Sequence, residues 1–115
     1  MAFSEFEMKK YQKLVDAFIQ ERRPPVHLRD NTDLGFRIQQ QSVEIFEIRP
    51  FLREPNKKVE VPVAKATYLK SRQLWKIYWQ RADMKWHGYE PKPEVKKLET
   101  FLRVVDEDEY GCFWG

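Results

Sequence analysis

Between Arg81 and Pro91 the chain reads RADMKWHGYEP, which places Arg81, Asp83, Lys85, Trp86, His87 and Tyr89 within nine residues. In an unbroken strand, Arg81, Asp83, Lys85 and His87 would share one face. An Asp-x-Lys triplet such as Asp83-Met84-Lys85 resembles half of a metal-dependent nuclease site. There, carboxylates hold Mg²⁺ and the lysine offsets charge on the attacked phosphate. A second carboxylate would have to come from a neighbouring strand, with Glu44, Glu47 and Glu60 as candidates. The triplet alone is weak evidence, and the plainer reading of the same side chains is an Arg81–Asp83 or Asp83–Lys85 ion pair at a strand end.

Other chemistries find less support. Cys112, His87 and Asp83 could supply a nucleophile, a base and an orienting acid. Nothing in the local sequence brings them together, and a free cysteine usually packs as a small apolar side chain. His27, His87 and Cys112 lack the spacing of metal ligands. The acidic run Asp106 to Glu109 lacks the spaced ligands and turn glycine of a calcium loop. Four glycines, at 35, 88, 111 and 115, make no phosphate-cradling motif. No metal and no cofactor are expected.

Charge and aromatic content point to binding. Residues 49–97 carry 13 basic and 5 acidic side chains, against 7 and 8 before them and 1 and 5 after them. A basic middle attracts phosphates unless the acidic tail folds back to neutralise it. Basic and aromatic residues interleave through YLKSRQLWKIYWQRADMKWHGY. A sheet face offering Lys65, Lys76, Tyr78 and Arg81, rimmed by Lys85, Trp86 and Tyr89, suits phosphate contacts combined with base stacking. Exposed tryptophan and tyrosine equally suit self-association, as in a homodimer formed through an edge strand or the aromatic tail.

These residues depend on elements that the patterning defines. Residues 4–22 read as a helix, with Ser4 and Glu7 spaced as a capping box, Phe3 and Met8 placed as a staple, and Pro24-Pro25 as the stop. The period then changes to two. Leu34, Phe36 and Ile38 alternate with Gly35 and Arg37, and a short turn near Gln40 to Ser42 leads into SVEIFEIRPF, a hairpin. In that second strand the pattern slips from Val43 and Ile45 to Phe46 and Ile48, which implies a bulge or burial on both faces. VEVPVAKATYL is a third strand, with Pro62 at an edge or irregular start. In LWKIYWQRA, Trp75, Ile77 and Trp79 share one face and Lys76, Tyr78 and Gln80 the other. Val26–Leu28 could add a short strand. Pro93 is placed to open a second helix over about 93–105, carrying Val95, Leu98, Phe101, Leu102 and Val105. Small Ala64 and Ala66 would let a helix approach the sheet.

One core in a chain of 115 residues follows from its length. The expected fold is α+β: a four- or five-stranded antiparallel sheet over about 26–87, with one helix before it, one after it and a tail over 106–115. No apolar run is long enough to span a membrane. The start MAFSEFEMKK has no apolar stretch of the kind a secretory signal carries, and one cysteine forms no internal disulfide. A cytoplasmic location and no membrane partner are therefore expected.

The segments EIRP, VAKATY, LWKIYWQRADMKWHGYEP and DEYGCFWG resemble the bacterial family called domain of unknown function 3024. The resemblance covers nearly the whole chain from Pro24 onward and implies no particular activity. It does point to Glu47, Arg49, Lys65, Arg81, Asp83, Lys85 and His87, polar residues from four elements that a sheet could bring together as a ligand site or an ion-pair network. The expected function is a small non-enzymatic binding or interaction module, taking an anionic ligand such as nucleic acid on a basic-aromatic sheet surface. A metal-dependent phosphodiester-cleaving enzyme is the alternative. A third reading is a homo-oligomer whose aromatic surface is the interface.

Overall fold

A computed structural model describes residues 3–114. Helix α1 runs over Glu5–Arg22 and begins as its sequence dictates. The Ser4 hydroxyl accepts the Glu7 N–H at 3.1 Å, and the Glu7 carboxylate accepts the Ser4 N–H at 2.9 Å. Phe3 then lies edge-on to Tyr11, with ring centroids 4.8 Å apart. Val26–Leu28 forms one turn of 3-10 helix and not the short strand expected of it. Turn bonds from the Leu28 and Arg29 N–H groups back to the Pro25 and Val26 carbonyls coil the backbone locally in place of an extended strand.

The strands are β1 (Asp33–Gln39), β2 (Ser42–Pro50), β3 (Lys58–Leu69), β4 (Leu74–Gln80), β5 (Trp86–Gly88) and β6 (Glu94–Val95). They are antiparallel in the order β1-β2-β3-β4-β5, and β6 also pairs with β4. β5 lies against Tyr78–Gln80 and β6 against Trp75 and Lys76. The two short strands thus fill one position in the sheet, interrupted by the segment holding Pro91 and Pro93. The sheet extends past residue 87 because the Pro93 carbonyl accepts the Ile77 N–H at 3.0 Å. That bond also displaces the second helix. Helix α2 spans Leu98–Glu107, with Lys97 at its N-cap position and no side-chain capping bond, and does not start at Pro93.

The slip in β2 is a bulge. Ile45 pairs with Ala64 and Phe46 with Pro62, so Val63 is the extra residue on β3. Pro62 has no N–H to offer and sits where β3 has no β4 neighbour, at an irregular edge as expected. Across the bulge Phe46 turns to the face opposite Ile45 and lies under the Arg37 guanidinium, 4.6 Å from its ring centroid. Gly35 makes room for that ring, since a β-carbon there would fall 2.8 Å from Phe46 Cε1.

Both helices cover one side of the sheet. Val15 and Ile19 of α1 and Leu98, Phe101, Leu102 and Val105 of α2 pack with Val43, Ile45, Ala64, Ala66, Trp75 and Ile77. Ala64 and Ala66 are wholly buried, as a close helix approach requires. No helix among the described residues is long and apolar enough to cross a membrane.

The end of α1 is tied to the start of β1 by a bidentate pair. Arg23 Nε and Nη2 donate to Asp33 Oδ1 and Oδ2 at 2.8 and 2.7 Å, and Asp33 Oδ1 also accepts the Leu34 N–H. These bonds, from the Arg23 side chain above all, hold the Asp33 carboxyl below its ordinary pKa. A depressed carboxyl adds stability that is complete above the ordinary carboxylate pKa of about 3.9 and is lost as pH falls through the folded value. Asp33→Asn therefore lowers the melting temperature at neutral pH. The gap to the wild type closes in thermal scans taken at steps down through pH 4 to pH 2.

Candidate functional site

Alternation along the strands sends one set of side chains away from the helices. Cross-strand register places Ser42 beside Thr67, Glu44 beside Lys65, Lys65 beside Tyr78 and Thr67 beside Lys76. β5 adds Trp86, whose neighbour on β4 is Gln80. The Lys65 ammonium lies 5.1 Å from the Tyr78 ring centroid and 5.1 Å from that of Trp86, so one cation bridges two rings on the outer face. Among the described residues neither Lys65 nor Lys76 forms an ion pair with a carboxylate (the pairs run elsewhere). Next to Lys65 a shallow hollow of about 370 Å³ is lined by Arg37, Gln39, Gln40, Ser42 and Glu44.

Of the residues singled out in the sequence, Lys65, Lys76, Tyr78 and Trp86 share this face. The others do not join them. Tyr89 is no rim residue: it is 2% exposed and stacks on Phe113 at 4.8 Å, because the Tyr89 N–H reaches the Ile77 carbonyl and turns its ring into the core. Arg81 continues the helix-side parity of β4, with its guanidinium 5.3 Å from the Trp79 centroid. Glu47 is held by Arg49 two residues along its own strand, Nη2 to Oε2 at 2.9 Å.

Asp83 and Lys85 belong to the β4–β5 turn, since the strand breaks after Gln80, and His87 lies in β5 opposite Trp79. The Asp83 carboxylate accepts the Lys85 N–H at 2.9 Å through Oδ1 and contacts His87 Nε2 at 2.8 Å through Oδ2. The Lys85 backbone bond first, then His87, lowers the Asp83 pKa. Asp83 thus shapes a turn in the manner of an Asx cap. Two of its three candidate metal partners are committed, Glu47 to Arg49 and Glu60 to Arg37, and the third, Glu44, lies beside Lys65 on the outer face. Among the described residues no three His, Cys, Asp or Glu side chains are grouped to hold a metal ion.

The acidic tail forms no ion pair with the basic middle among the described residues. Among the described residues its one ion pair joins Asp106 to Arg22 of α1 at 2.6 Å. Asp108, in the left-handed region at φ 40°, caps α2 and accepts the N–H groups of Phe113 and Trp114. Trp114 Nε1 donates to the Val105 carbonyl at 2.8 Å, and Arg22 lies 4.2 Å above that indole. These bonds let α2 run to Glu107, past the expected stop at Val105. The tail docks on the core through Phe113, Cys112 and Trp114, with Gly115 outside the described part.

Arg37, Gln39, Ser42 and Thr67 were not selected from the sequence. Their signal was available in the alternation of β1 with Leu34, Phe36 and Ile38, which assigns Arg37 and Gln39 to the outer side.

An α+β domain with an uncovered basic-aromatic sheet face is the class that these features define. The family described as Domain of unknown function (DUF3024) matches residues 3–115, and the chain belongs to it. No curated protein and no solved structure matches the chain.

The turn itself makes a test. Met84 is 76% exposed and holds φ 62°, a left-handed conformation that costs a side-chain-bearing residue about 1 kcal/mol. Met84→Gly removes that cost and no packing. It raises unfolding stability by up to ~1 kcal/mol in urea titrations.

Proposed function

We propose that this domain is a non-enzymatic binding module whose outer sheet face takes an anionic ligand, with single-stranded nucleic acid as the ligand class. The observation that carries the reading is the Lys65 ammonium poised over Tyr78 and Trp86 on the side of the sheet opposite both helices. Each cation–π contact at such a half-exposed site is worth about 0.5–1 kcal/mol. Stacking a base on an aromatic ring is worth about 1–3 kcal/mol. A phosphate that draws Lys65 off the rings therefore opens two π-faces at a cost smaller than the stacking that replaces it. Lys76 extends the cationic track along β4, and the Gln39, Ser42 and Glu44 side chains beside Lys65 offer hydrogen bonds to base edges. The single free cysteine fits a reducing, cytoplasmic setting for this role.

Fluorescence anisotropy with a labelled single-stranded oligonucleotide tests the proposal. Binding should weaken steeply with salt. Lys65→Ala and Lys76→Ala should each reduce the log–log salt slope by about one, and Trp86→Ala should weaken binding about tenfold or more. Absence of binding at low ionic strength, or binding indifferent to all three substitutions, overturns the reading.

A further inference from the structure

Beyond Val63, β3 runs on past the end of β4, and Lys58–Pro62 pair only with β2 among the described residues. The edge this leaves is surrounded by apolar surface. Val59 and Val61 are 36% and 40% exposed, and at the adjoining β2–β3 connection Phe51 is 41% and Leu52 97% exposed. The outer edge of the sheet at β1 differs, because its Leu34, Phe36 and Ile38 are drawn into the core.

The hydrogen-bond phase of this edge can be read directly. The Phe51 N–H bonds to the Lys57 carbonyl at 2.8 Å, so in the antiparallel ladder Arg49·Val59 and Glu47·Val61 are hydrogen-bonded pairs and Pro50·Lys58, Ile48·Glu60 and Phe46·Pro62 are not. Both prolines thus fall where β2 and β3 exchange no bond. Lys58 and Glu60 point their N–H and C=O groups away from β2, toward open solvent, whereas Pro62 offers only a carbonyl there.

Self-pairing of this edge about a two-fold axis at Val59 sets Lys58 opposite Glu60 of a second copy, and Glu60 opposite its Lys58. All four outward N–H groups find carbonyls and Val59 meets Val59. Both cross-strand pairs are of opposite charge, with Glu60 shared between its own Arg37 and the second copy's Lys58, whose ammonium leaves the Asp30 carbonyl it otherwise bonds at 2.9 Å. Shifting the register by two residues sets Glu60 against Glu60 and Lys58 against the missing N–H of Pro62, losing both advantages. We infer that the Lys58–Glu60 edge of β3 is a homodimer interface, paired antiparallel with a second copy of this chain about Val59. The axis is perpendicular to the sheet, so the two Lys65–Tyr78–Trp86 faces lie on the same side of one continuous sheet. The inference does not require that face to bind nucleic acid.

Cross-linking and sedimentation of the full chain test it. In a Cys112→Ser background, Val59→Cys should form an oxidised dimer resistant to denaturant, because non-hydrogen-bonded antiparallel partners have Cα atoms about 4.5 Å apart, within disulfide reach. Val61→Cys, which would face Lys57, should not. Without cysteine, sedimentation equilibrium should show a dimer on the order of 10–100 µM, as a small interface gives. Lys58→Glu should weaken it tenfold or more, and the exchange Lys58→Glu with Glu60→Lys should restore it, with circular dichroism checking that each variant is folded. A monomer at every concentration, which would leave the edge to a different chain, overturns the inference. So does preferential cross-linking through Val61→Cys.

Discussion

Burial of alternate β4 side chains is the constraint from which the rest of the molecule follows. Trp75 is 2% and Ile77 1% exposed, and the Trp75 ring is met by Phe3, Tyr11 and Tyr68 at centroid distances of 5.7, 5.2 and 5.1 Å. Phe3 directly precedes the cap of α1 and Tyr11 lies in its second turn, so this contact fixes the helix to the sheet as well as the register of β3 on β4. A one-residue slip would carry Trp75 into solvent and Lys76 into the core. With several kcal/mol at stake in a buried tryptophan, register is strongly specified, and the positions of Lys65, Lys76 and Tyr78 on the other side are specified with it.

The bulge at Val63 divides that outer side in two. On one side of it, small alanines face the helices and the outer surface holds Lys65, Thr67 and their neighbours. Beyond it, Phe46 is pressed outward between Gly35 and Arg37, and the β2–β3 ribbon runs free of the helices. A polar, partly aromatic face and an apolar free edge therefore occur on one sheet for a single geometric reason. The docked tail contributes as well. Its Asp106 and Asp108 carboxylates serve Arg22 and the backbone of residues 113 and 114, and among the described residues none of its carboxylates pairs with a cation of the middle segment.

Features governed by near neighbours were legible in the sequence. The Ser4–Glu7 box, the Trp75–Ile77 alternation and the break in pattern between Ile45 and Phe46 all appear in the structure where the sequence places them. Features set by distant partners were not. Val95 fits a helical stripe by spacing, yet it is a strand residue because β4 offers it a backbone partner at Trp75. Tyr89 looks like a surface aromatic until Phe113 arrives from the tail to stack on it. Likewise, strand parity would have grouped Arg81, Asp83, Lys85 and His87, whereas the turn pairs Asp83 with His87 and leaves Arg81 on Trp79. The candidate site was half legible for the same reason. Lys65, Lys76 and Tyr78 follow from alternation within strands, but the bridge from Lys65 to Trp86 needs β5 to fold back on β4.

The two-sided sheet is tested most directly by the four indole N–H resonances in a proton–nitrogen NMR spectrum, recorded with a soluble paramagnetic gadolinium chelate. The Trp86 signal should lose intensity as the chelate is added, while the Trp75 signal persists at concentrations that erase it. Equal loss at Trp75 and Trp86, or a protected Trp86 beside an attenuated Trp75, would contradict the account.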